Sequence, residues 1–205
     1  MTELAELVAP EHTAIVTQEC QGAVIGPNAG LAQLAEEARR IALPNIVRLL
    51  PAARAAGVRV VHCLVQRRPD GLGSNHNAKI FSLGRGEVDI VPGTQGAAVL
   101  PELGPEPTDL VLSRWHGVGP MGGTELDAVL RNLGVSTIVV VGVSLNIAIP
   151  NVVMDAVNAA YRAVVPRDAV AGIPTDYGEA IIANTLSLLA TITTTDDLLR
   201  VWRQP

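Results

Sequence analysis

Lysine occurs once in the 205-residue chain, at Lys79, and cysteine twice, at Cys20 and Cys63; aromatic residues make up 2% of it. Each scarcity excludes something. Two cysteines in apolar surroundings are expected as reduced thiols, since they supply no disulfide framework. Acidic residues outnumber basic ones 20 to 15, and the net charge of −5 gives no cationic patch for a nucleic-acid backbone. No apolar run reaches the ~18 residues of a membrane span, and no basic region precedes an apolar one at the N-terminus. The expectation is a soluble, cytoplasmic protein that acts on a small molecule, with neither nucleic acid nor membrane as partner. Charge is scarce too, at 17% against 48% apolar residues. Part of the apolar surface is therefore expected to be buried between copies, in a homodimer or homotetramer.

What is present is an alternation of short branched-aliphatic runs with alanine-rich amphipathic segments. The clearest unit is GVSTIVVVGVSLNIAIPNVVMDAVNAAY, residues 134–161. Ser136 to Val141 carries no charge and reads as a strand buried on both faces. Gly142 ends it, and the corner Val143-Ser144-Leu145-Asn146 leads into a helix with Pro150 in its first turn. A corner of this kind opens at the carboxyl end of a sheet, where ligands of α/β proteins bind.

The same alternation runs through the rest. Met1 to Glu11 reads as a partly ordered acidic arm. Strands are expected at 13–18, 58–65, 109–113, 163–166 and 191–194. Helices are expected at 31–42, 44–56, 124–133, 176–190 and 196–202, with Thr124 and Asp127 forming a capping box. Residues 66–108 are irregular, and a segment that long reads as a lid or interface arm, over its own pocket or a neighbour's. The whole chain, 1–205, is expected as a single α/β domain, a three-layer α/β/α sandwich with about six parallel strands.

Suggestive residues follow three of these strands: Glu19, Arg114 and the corner holding Ala148. The segments TAIVTQECQ, DLVLSRWHGVGPMGGTELDAVLRNLG and VVVGVSLNIAIPNVVMDAVNAAY resemble, in order and spacing, the isochorismatase-like cysteine hydrolases, over about Thr13 to Leu199. The resemblance implies a catalytic Asp two residues before Gln21, a catalytic Lys at the end of the third strand, and a nucleophilic Cys seven residues before Asp155-Ala156. Those positions hold Glu19, Arg114 and Ala148. Glu keeps the carboxylate and moves it out by one methylene; Arg keeps the charge and loses a titratable amine. Ala removes the nucleophile, so no acyl-enzyme can form there.

Isochorismatases proper also lack the cysteine, which the resemblance makes a precedent for Glu19 as general acid. General-base activation of a water is the alternative, favoured if Glu19 and Arg114 touch. Arg114 is then the anion stabiliser, and the N–H groups around Ser144 to Ala148 an oxyanion site. Gln21, Trp115, His116, Ser144 and Asn146 are the expected ligand contacts, Asn146 reading equally as a helix cap. The resemblance also implies a cis peptide at Val143–Ser144. No cofactor is expected. His62, Asp70 and His76 depart from the Asp-x-His spacing of zinc-binding relatives, so no metal is expected. Two readings stand: a hydrolase without a cysteine nucleophile, or an inactive relative that binds small molecules, with Glu19 and Arg114 as a structural ion pair.

Overall fold

The computed structural model describes residues 3–83 and 89–203. Residues 1–2, 84–88 and 204–205, which belong to the expected arm, the 66–108 segment and the C-terminus, lie outside the described residues. The elements are α1 (Glu3–Leu7), β1 (Thr13–Gln18), α2 (Gly22–Ile25), α3 (Ala32–Arg40), α4 (Ala42–Ala56), β2 (Arg59–Val65), β3 (Leu110–Arg114) and α5 (Leu126–Asn132). They continue with β4 (Thr137–Val143), α6 (Ala148–Asn158), β5 (Arg162–Pro166), β6 (Val170–Ala171), α7 (Thr175–Asn184), β7 (Ala190–Thr193) and α8 (Thr195–Trp202).

The strands form one parallel sheet, ordered β3-β2-β1-β4-β5-β7, with β6 paired to β4. The count is seven rather than about six. The extra strand, β6, is two residues long and aligns Val170 and Ala171 with Gly142 and Val143. A segment so short carries no periodicity to read.

Helices cover both faces. Ile15, Val139 and Val141 pack with Ile46, Leu49 and Leu50 of α4 and with Leu198 and Trp202 of α8. Ala14, Val16, Ile138 and Val140 face the other way, onto Leu126 of α5, Ile149 and Val152 of α6, and Ile182 of α7. Successive side chains of β1 and β4 thus enter opposite cores, which is why residues 14–16 and 138–141 are unbroken apolar runs. Burying a side chain such as Ile138 contributes roughly 1.5–3 kcal/mol. Gly57, in the left-handed region at φ 87, closes α4. No helix is long and apolar enough to cross a membrane among the described residues.

Two local expectations are corrected. The N-terminal arm is docked: Val8 is fully buried, its carbonyl accepts from Trp202 Nε1 at 2.9 Å, and Leu4 and Leu7 pack on the core. The Thr124–Asp127 capping box does not form. Thr124 Oγ1 accepts from the Leu126 N–H, while Asp127 is taken by Arg131 and the Tyr161 hydroxyl.

β2 and β3 lie on one side of β1 and β4 on the other, so the direction of winding reverses at the β1–β4 seam. Gly142 makes the close approach there possible. A Cβ at that residue would lie 2.2 Å from the Gln18 carbonyl oxygen and 2.9 Å from Cys20 Sγ. A crevice opens at the carboxyl end of such a reversal.

Candidate active site

Glu19 follows β1 directly, with φ 55, a conformation rare for a residue with a Cβ. Its N–H donates to the Cys63 carbonyl at 2.9 Å and its own carbonyl accepts from Gln21 N–H, so the turn is held from both sides. Arg114 is the last residue of β3, with β2 between it and β1. Two strand spacings are about 9.6 Å. The long side chain spans that gap, and Nη2 donates to Glu19 Oε1. Nε donates to the Gly117 carbonyl at 3.2 Å. Arg114 is 4% exposed and Glu19 16%, so the ion pair is largely out of water.

Two polar atoms in this cluster are buried without a partner among the described residues: Arg114 Nη1 and Gln18 Oε1. The Gln18 amide nitrogen donates to Glu19 Oε1 at 3.2 Å. One oxygen of Glu19 therefore receives two donors. Buried donors left unmatched cost free energy, and Nη1 is a ready hydrogen-bond donor for a ligand oxygen.

The pair lies in the wall of a cavity of about 220 Å³. Ala148, Ser144, Trp115 and His116 line the same space. An acid, a guanidinium and a methyl group from three strand ends thus meet in one cavity. Ala148 begins α6, so its N–H belongs to the first helical turn, whose donors lack partners within the helix. The Val143–Ser144 peptide bond is cis.

Gln21 and Asn146 do not line the cavity, contrary to expectation. The Gln21 amide nitrogen donates to the carbonyls of Val65 and Gly96 and its oxygen accepts from the Val65 N–H, tying the turn after β1 to the end of β2. Asn146 exchanges hydrogen bonds with both main-chain groups of Ile173. Both amides are spent on backbone, as buried amides must be. Nor does Asn146 cap α6, whose N-cap residue is Ile147.

Neither thiol of the chain is placed to act as a nucleophile. Cys20 and Cys63 are fully buried, and burial pushes each thiol up to about 12. A thiolate at either position is suppressed. His62 and Asp70, compared above with zinc ligands, are engaged elsewhere: His62 with Thr17 and Asp109, Asp70 with Arg68. Among the described residues no cluster of three or more His, Cys, Asp or Glu is placed to hold a metal.

Sequence reasoning missed the residues between Gln66 and Ile90 that complete the wall. Arg67, Ser74, Asn75, Ile80, Phe81, Leu83 and Ile90 all line the cavity of their own chain. Asn75 Oδ1 accepts from the Gly117 N–H at 2.7 Å, fastening this segment to the loop after β3. The one available signal was the length of the irregular segment. Also unread was a buried chain in which the Thr17 hydroxyl meets His62 Nδ1 at 2.8 Å, and His62 Nε2 meets Asp109 at 3.2 Å. Arg54 completes it with two bonds to Asp109.

Comparison with known proteins places these positions in context. A family model described as the isochorismatase domain matches residues 13–197. A ureidoacrylate amidohydrolase, RutB, of Agrobacterium fabrum is 27% identical over 210 residues, covering 95% of this chain and 92% of that protein. A cysteine hydrolase from Pseudomonas syringae pv. phaseolicola superposes with a TM-score of 0.83 at 23% identity, covering 96% of this chain and 94% of that one. An isochorismatase family protein from Desulfovibrio vulgaris gives a TM-score of 0.79 at 27% identity, covering 94% and 98%.

Proposed function

The chain belongs to the isochorismatase family, and from that premise we propose that it is a hydrolase of a small amide or ureido compound, working without a covalent intermediate. The observation that carries this is the direct contact of Glu19 and Arg114 beside the methyl group of Ala148. A carboxylate whose Oε1 accepts from both Arg114 and Gln18 is arranged as a proton acceptor, which favours general-base over general-acid chemistry.

In this reading Glu19 takes a proton from a water that stands where a nucleophilic side chain is missing. The water oxygen bonds to the carbonyl carbon of the substrate. The resulting oxyanion is held by Arg114 Nη1 and by the first-turn N–H of Ala148. Collapse breaks the C–N bond, and the amine leaves with the proton that Glu19 had accepted. Arg114 keeps its proton throughout, as a guanidinium does at neutral pH. The amide or ureido class is supported by the name of the RutB relative, which is 27% identical to this chain over 92% of its own length.

The test is hydrolysis of a panel of ureas, amides and vinyl ethers by the wild-type chain and Glu19→Gln. Turnover of an amide or urea that the Gln variant loses by about 10²-fold or more supports the reading. An equally active Gln variant, or cleavage confined to vinyl ethers, removes it.

Ala148 itself favours a second reading, a binder without activity. That reading predicts saturable binding in the cavity and no product from any compound of the panel.

A further inference from the structure

Resting on the reading that Glu19 and Arg114 face the amide or ureido end of a ligand, we propose that Arg67 binds a carboxylate at its other end and makes the site selective for monoanions. Two arginines follow β2. Arg68 is exposed and bidentate with Asp70, Nε to Oδ1 at 2.9 Å and Nη2 to Oδ2 at 2.7 Å. Arg67 is half-buried and lines the cavity, and its guanidinium has no hydrogen-bond or ion-pair partner among the described residues. Its backbone is held in place: its N–H donates to the Ile90 carbonyl at 3.1 Å, and the preceding Gln66 N–H donates to the Arg114 carbonyl at 2.9 Å.

Charge decides what fits. Among the described lining residues stand two guanidinium groups, Arg67 and Arg114, against one carboxylate, Glu19. Counted over these described groups alone, the cavity carries one positive charge in excess. Much of the remaining wall is apolar, including Val24, Leu34, Ile80 and Phe81, so that charge gains little from its surroundings. One negative charge on the ligand balances it; a neutral ligand leaves it unmatched.

The two donors are not equivalent. A ligand carboxylate at Arg114 would sit against the Glu19 carboxylate, and like charges at that range repel. Arg114 Nη1 therefore suits a neutral carbonyl oxygen, while Arg67, with no carboxylate paired to it among the described residues, suits the anion in the bidentate geometry that guanidinium favours. Val65 pairs with Arg114 in the sheet and Arg67 lies two residues beyond, so their Cα atoms are at most about 12 Å apart. The ligand implied has a carbonyl-bearing nitrogen group and a carboxylate joined by a short apolar spacer.

The experiment is calorimetric titration of the full chain with ω-ureido carboxylates of one to four methylenes and with their methyl esters. At least one acid is expected to bind wild type about tenfold or more tightly than its ester, and Arg67→Gln to bring that ratio below about twofold. Arg68→Gln should retain the preference, and Arg67→Lys, which keeps charge without the fork, should retain part of it. Unaltered melting of Arg67→Gln shows that the loss is local. Equal affinity for acids and esters in wild type, no binding of any acid, or a preference that survives Arg67→Gln would overturn the proposal. A preference that depends on Arg67 without turnover sinks the hydrolase reading alone; turnover without the preference sinks this inference alone.

Discussion

The Arg114 guanidinium reaches across the end of β2 to Glu19, 95 positions earlier in the chain, and the two form a largely buried ion pair. Removing one member strands the other. Arg114→Met leaves the Glu19 carboxylate facing an apolar neighbour and should destabilise the fold by about 3–5 kcal/mol. Adding Glu19→Gln to Arg114→Met removes the stranded charge and should recover a good part of that loss. Urea unfolding of both variants measures it; a double variant no more stable than Arg114→Met contradicts the argument.

Ala148→Cys places a thiol in the wall of a cavity that a guanidinium also lines, where small reagents can reach it. Cys20 and Cys63, each pushed to about 12 by burial, should resist alkylation in the folded protein. Intact-mass analysis after iodoacetamide treatment is expected to show no label on wild type and a single label on the variant. An unlabelled variant would mean that the Ala148 position is closed to small molecules.

Acid should weaken the fold through the Thr17–His62–Asp109–Arg54 chain. Burial lowers the His62 imidazole below its ordinary value, against the raising effect of Asp109. Between that lowered value and about 6.5, the unfolded chain binds more protons than the folded one, so stability rises with pH across this window. Asp109 adds to the loss only further down. Burial works to raise it, but Arg54, the Glu106 N–H and His62 together hold it below the ordinary carboxylate value. Its contribution is present above about pH 4 and disappears as pH falls further. The melting temperature should therefore fall from about pH 7 to about pH 5, and less steeply in His62→Gln. Equal slopes in the two proteins would exclude His62 as the source.

Trp202→Phe keeps the ring among α4, α8 and the docked arm but deletes the donor to the Val8 carbonyl. Leaving that buried acceptor unmatched should cost about 1–3 kcal/mol. Limited proteolysis should then cut ahead of β1 faster than in wild type. An unchanged cleavage rate would show that the arm is held by Leu4, Leu7 and Val8 alone.

Much of the fold was legible in the chain because burial writes itself locally. Residues 14–16 of β1 and 138–141 of β4 are unbroken apolar runs since each strand has a core on both faces, and Gly57 marks where α4 stops, whereas Gly142, expected to end β4, lies inside it. The same locality made Glu19, Arg114 and Ala148 readable as the ends of three strands. β6 escaped because two residues carry no period, and the arm escaped because its acidic composition hides three apolar residues that pack on the core.

The sequence alone thus determined a parallel α/β sandwich, kinship with the isochorismatase family, and the absence of a thiol at the corner before α6. Only the tertiary structure decided that Gln21 and Asn146 serve the backbone, that residues after β2 line the cavity of their own chain, and that Arg68 is paired with Asp70 while Arg67 has no partner among the described residues. The division is physical. Backbone periodicity and burial act on neighbours in sequence, whereas hydrogen-bond partners and uncompensated charge depend on which strand ends the sheet order brings together.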